Sequence, residues 1–96
     1  MILELEVLLE DKPGTLIGLL TPISENNCNI QGIYHGQKRE DDNTIPVYLK
    51  FEVEDSKYRK VIDVLEQRFV ELNIQVLKFA PADLKGKDDS SKNRAV

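Results

Sequence analysis

The 96-residue sequence predicts an α+β fold, a ferredoxin-like sandwich with a four-stranded antiparallel sheet in the order 4-1-3-2. Two helices cover one face of that sheet. Three observations lead there. Two segments alternate apolar and polar residues with the period of a strand. Two others place apolar residues at i, i+3, i+4 and i+7, the buried stripe of a helix. The elements follow one another as β-α-β-β-α-β, and two crossover helices then lie on the same side of one sheet. Strands 1 and 3 are expected at its centre.

Strand 1 is expected over Ile2–Glu10, with Leu3, Leu5, Val7 and Leu9 on one face. Helix 1 is expected over Gly14–Asn26, with Leu16, Leu19, Leu20 and Ile23 as its stripe. Pro13 suits its start, because a missing N–H costs nothing there. Pro22 removes one internal hydrogen bond, which predicts a bent rather than a broken helix. Asn27 suits the left-handed residue that ends it. Strand 2 is expected over Asn29–His35, with a bulge or close backbone approach at Gly32. A polar loop over Gly36–Asn43 precedes strand 3, where Ile45, Val47, Leu49, Phe51 and Val53 alternate with polar neighbours. Asp55 or Ser56 is expected to cap helix 2, whose stripe is Tyr58, Val61, Ile62, Leu65, Phe69 and Leu72. Ile74–Phe79 supplies strand 4. Glu4, Glu6, Lys50 and Glu52 fall on the outer faces of strands 1 and 3, where opposite charges can pair across the sheet.

The formal net charge of −4 argues against nucleic acid and anionic membrane as partners. No apolar stretch has the length of a membrane span, and Met1-Ile2-Leu3-Glu4 lacks the features of a signal peptide. Cys28 is the only cysteine, so a disulfide within the chain is excluded. A cytoplasmic location is expected. Residues 1–79 carry nine basic and fourteen acidic side chains, and residues 80–96 carry four and three. The segment Gly86–Arg94 has no apolar residue to bury. Residues 1–79 are therefore expected to form the domain, and 80–96 a disordered tail or linker. So short a domain is marginal alone, which favours association.

The loop Asp11-Lys12-Pro13-Gly14-Thr15-Leu16 joins a strand to a helix N-terminus. Unpaired N–H groups and the positive end of the helix dipole suit a carboxylate there. This loop, the βαββαβ order and Asn29-Ile30 opening strand 2 resemble the ACT domain family. The resemblance covers about residues 2–79. It implies a regulatory domain that binds an amino acid at a dimer interface and modulates an enzyme of amino-acid metabolism. Carried over residue by residue, it places Asp11, Lys12, Pro13, Gly14, Thr15, Leu16, Asn29 and Ile30 at the ligand. The loop amides would take the ligand carboxylate and Asp11 its ammonium, with Asn29 bonding to both. One departure is Asn26-Asn27-Cys28, where the family often has a glycine before the asparagine. Gly14→Val is expected to abolish binding and leave the fold largely intact. The alternative is an assembly module that dimerises without a ligand.

Other residues read more plainly. His35 is expected to be exposed or packed and Cys28 to be a small buried hydrophobe; Tyr34 and Tyr48 could form an aromatic surface, but packing or ordinary exposure is the favoured reading. Glu40-Asp41-Asp42 reads as a solvated loop. One histidine and one cysteine in separate elements support neither catalysis nor a metal site, and no cofactor is expected. Aromatic platforms for RNA are replaced by Glu4, Glu6 and Glu52. An exposed strand 2 edge is expected to pair with its copy in a second chain.

Overall fold

The computed structural model describes residues 1–82. Its elements are β1 (Ile2–Glu10), α1 (Thr15–Glu25), β2 (Asn29–His35), β3 (Thr44–Glu52), α2 (Tyr58–Glu71) and β4 (Gln75–Pro81). The sheet order is β2-β3-β1-β4, all antiparallel. This is the 4-1-3-2 ferredoxin-like arrangement read from the other side. Most of the expected tail lies outside the described residues.

The alternation in the central strands sorts their side chains. Leu3, Leu5, Val7 and Leu9 of β1 and Val47, Leu49 and Phe51 of β3 point inward and are buried. They pack against Leu19 and Ile23 of α1 and Val61, Leu65 and Phe69 of α2. Phe79 of β4 completes the core, its ring 6.1 Å from that of Phe51 and 6.0 Å from that of Phe69. Leu8 is buried on the opposite face, opposite Pro46 of β3 and Gln75 of β4 in the sheet registers.

Both helices end alike. Asn27 (φ 59°) and Asn73 (φ 58°) are left-handed. The amide of Cys28 reaches back to the carbonyl of Ile23, and that of Ile74 to Phe69. The amides of Asn27 and Asn73 bond to Ser24 and Val70. These are Schellman closures, which satisfy carbonyls that the helix leaves open. Helix α1 runs unbroken through Pro22.

Three expectations change. Neither Asp55 nor Ser56 caps α2: Lys57 holds the N-cap position with no side-chain bond. The Asp55 carboxylate instead accepts from the terminal ammonium of Met1 at 2.6 Å, a charged donor outside the helix. Leu72 leaves the buried stripe. It is the C-cap of α2 and 40% exposed, because the helix stops before the turn that would carry it inward. Strand β4 extends to Pro81, which an edge strand tolerates. The β2–β3 register shifts between Ile30 and Gly32, the irregularity expected near Gly32.

Candidate ligand-binding site

Gly14 is the N-cap of α1 at φ 88°, a backbone conformation that side chains disfavour and glycine adopts freely. It turns the chain from Pro13 straight into the helix. Thr15 draws the loop together, its hydroxyl donating to the carbonyls of Glu10 (2.9 Å) and Lys12 (3.0 Å). Its amide is directed at the Lys12 carbonyl, and the amide of Gly18 bonds to Gly14. Among the described residues no acceptor meets the amides of Leu16 and Ile17. These are the open donors of the first turn, at the positive end of the dipole.

A hollow of about 320 Å³ lies against the loop and the start of α1. Lys12, Pro13, Gly14 and Thr15 form one side, Gly18 lies one helical turn further on, and Leu72 and Ile74 close it from the end of α2. A Cβ at either Gly14 or Gly18 would meet nothing within 4 Å, so both glycines leave space open. Gly18, Leu72 and Ile74 were not among the residues expected from sequence. The i, i+4 spacing of Gly18 from Gly14 was the available signal. Leu72 and Ile74 arrive only through the packing of the helices.

Asp11 faces the other way. Its amide bonds to the Asn43 carbonyl (3.0 Å), and its carboxylate pairs with Lys38 at 3.1 Å. The β2–β3 hairpin is thereby held against the loop. Lys12 pairs with Glu10 at 3.2 Å, both side chains well exposed. Such a surface pair contributes little.

Asn29 and Ile30 do not join this group. Asn29 stands opposite Glu52, which stands opposite Ile2. The loop follows Glu10, at the far end of β1. The two halves of the expected site are thus separated by nearly a full strand, about 25 Å at the usual rise. Nearby, burial raises the pKa of the Cys28 thiol, in keeping with an unreactive, half-buried side chain. No group of three or more His, Cys, Asp or Glu side chains able to hold a metal occurs among the described residues. No helix among them is long and apolar enough to cross a membrane.

The order of elements, the sheet topology and the glycine-capped loop define a small α+β module of the ferredoxin-like fold. A family description, ACT domain, matches residues 3–69, and the chain belongs to that family. Solved structures share the fold. An ACT domain protein from Streptococcus pneumoniae is 22% identical, with a TM-score of 0.64 over 88% of this chain and 92% of that one. A formyltetrahydrofolate deformylase from Pseudomonas putida KT2440 is 12% identical, with a TM-score of 0.68 over 86% of this chain and 30% of that one. The regulatory subunit of aspartate kinase from Thermus thermophilus is 12% identical, with a TM-score of 0.61 over 83% of this chain and 51% of that one. The chain therefore spans about a third of the deformylase and half of the kinase subunit. No curated protein matches it in sequence.

Proposed function

We propose that this ACT domain binds an amino acid at the loop Asp11–Leu16 and passes that signal to an enzyme of amino-acid metabolism in the cytoplasm. The observation that carries this reading is the glycine-capped first turn of α1. It leaves the amides of Leu16 and Ile17 open, and the loop residues just before them, Lys12 to Thr15, line a hollow large enough for a small side chain. The amides take the carboxylate, and Pro13, Leu72 and Ile74 take apolar parts of the ligand. The regulatory role of the similar kinase subunit agrees with this.

The distance to Asn29 argues for a pair of chains. Strand β2 is an edge of the sheet. In an antiparallel pairing of β2 with its copy, the start of one strand lies beside the end of the other. Asn29 of the partner subunit then approaches the His35 end. The hairpin bound to Asp11 lies at that end. The site is completed by two copies, and a ligand between them changes their geometry.

The test is a thermal-shift screen against the twenty amino acids, with light scattering for the assembly state. A ligand at a hundred times its dissociation constant adds about 2.7 kcal/mol, an easily read shift for a domain of this size. A shift with one or two amino acids that disappears in both Gly18→Leu and Asn29→Ala is the expected result. A dimer that responds to none of them would establish the assembly module instead, a reading that the open β2 edge also favours.

A further inference from the structure

A second hollow lies away from the loop, where the outer face of the sheet meets the end of β2. It has a volume of about 240 Å³. Its walls are Tyr34, Tyr48, Pro46 and Leu77, with Glu6 among them and Gly36 at the rim. Tyr34 and Tyr48 are opposite one another in the β2–β3 register, their rings 5.9 Å apart and tilted by 36°. Tyr34 is 64% exposed. Gly36 shapes the rim, since a Cβ there would come within 2.7 Å of the Pro46 ring. Leu77 stands at the register shift between β1 and β4, 53% exposed.

The charges around this hollow are unequally matched. The Tyr48 hydroxyl donates to Glu4 Oε2 at 2.7 Å, and Lys78 Nζ lies 3.1 Å from Glu4 Oε1. Glu4 thus anchors one tyrosine and answers the charge of Lys78. Glu6 is opposite both Tyr48 and Lys78 in the sheet registers. It has neither a hydrogen bond nor a salt bridge to any described residue. An aromatic pair, apolar walls and one unanswered carboxylate are complementary to a weakly hydrated cation. The ring faces attract positive charge through their quadrupoles, the walls cover alkyl groups, and Glu6 supplies the counter-charge.

We propose that this hollow binds a small organic cation, an alkyl-substituted ammonium compound, seated against Tyr34 and Tyr48 and paired with Glu6. None of the loop residues between β1 and α1 lines this hollow, which includes the His35 end of β2. Its ligand is of a different chemical class from the zwitterion proposed there.

The probe is choline, compared with 3,3-dimethylbutan-1-ol, which has the same shape without the charge. Both are titrated at the same ionic strength and the same pH. The readout is the backbone amide shifts of Gly36 and Leu77. Saturable millimolar binding of choline, with a much weaker response to the alcohol, is expected. Glu6→Gln and Tyr34→Leu should each weaken choline binding by about tenfold, in line with a cation–π or charge-pair interaction in a partly desolvated site. Both side chains lie on the outer face, and an unchanged far-ultraviolet circular dichroism spectrum would verify the fold of the variants. Equal responses to the two probes, wild-type affinity in Glu6→Gln, or no saturation by choline would each overturn the proposal.

Discussion

Two glycines four residues apart have opposite roles, and substitution separates them. Gly14 sits at φ 88°, so Gly14→Ala should lose about 1–2 kcal/mol from backbone strain alone. Gly14→Val would be worse, since a β-branched residue there is a strong outlier, and it would confound folding with binding. Gly18 has helical geometry and open space where a Cβ would stand. Gly18→Ala should therefore raise stability by about 0.5–1 kcal/mol, measured by urea unfolding, while weakening any amino acid bound in the hollow. At the outer face, burial and then the carboxylate of Glu4 push the Tyr48 phenol up to about 12. The folded state thus favours the protonated phenol more than the unfolded chain does. That contribution is fully present below the ordinary tyrosine value near 10 and is lost as pH rises through about 12. Alkaline titration of stability should show this loss, and Tyr48→Phe should flatten it.

At the scale of the elements, the helices depend on how they stop as much as on how they pack. Asn73 holds a left-handed conformation between α2 and β4, and the amide of Ile74 reaches the Phe69 carbonyl at 2.9 Å. Asn73→Gly should be neutral or slightly stabilising, and Asn73→Ala should cost about 1 kcal/mol, both read from denaturant midpoints. Leu65 of α2 and Leu49 of β3 are fully buried, so truncating either to alanine should cost about 2–5 kcal/mol. A loss below about 1 kcal/mol would contradict this assignment of the core faces. Sequence periodicity identified both residues, because buried stripes and alternating faces are local properties. It missed the exposure of Leu72, because the end of the stripe depends on where the Schellman turn cuts the helix. The missing side-chain cap of α2 was equally illegible: the partner of Asp55 is the chain terminus, 54 residues away.

For the whole molecule, the decisive question is which surfaces remain to be covered. The sheet leaves β2 and β4 as edges, and the expected ligand contacts lie at opposite ends of it. If two copies pair through β2, a variant that blocks the edge, such as Ile33→Pro, should shift light scattering toward monomer and reduce amino-acid binding together. Circular dichroism checks that such a monomer remains folded. The loop itself was legible from Pro13, Gly14 and the helical spacing that follows them. Its neighbours Leu72 and Ile74 were not, since 58 residues separate Gly14 from Leu72 and only packing brings them together. From sequence, Tyr34 and Tyr48 allow an aromatic surface but favour packing or ordinary exposure; the register places them opposite one another, with their rings tilted by 36°.

The sequence by itself determined the order of elements, the strand boundaries of β1 and β2 and the inward faces of the central strands, each through period, turn chemistry or a local motif. It also carries the likeness over residues 3–69 that shows the ACT family. Tertiary structure decided which distant residues share a hollow, that Asp11 pairs with Lys38, and that Asn29 lies a full strand from the loop. These depend on register and on closing the helices over the sheet, where residues remote in sequence become neighbours through the burial of a common core.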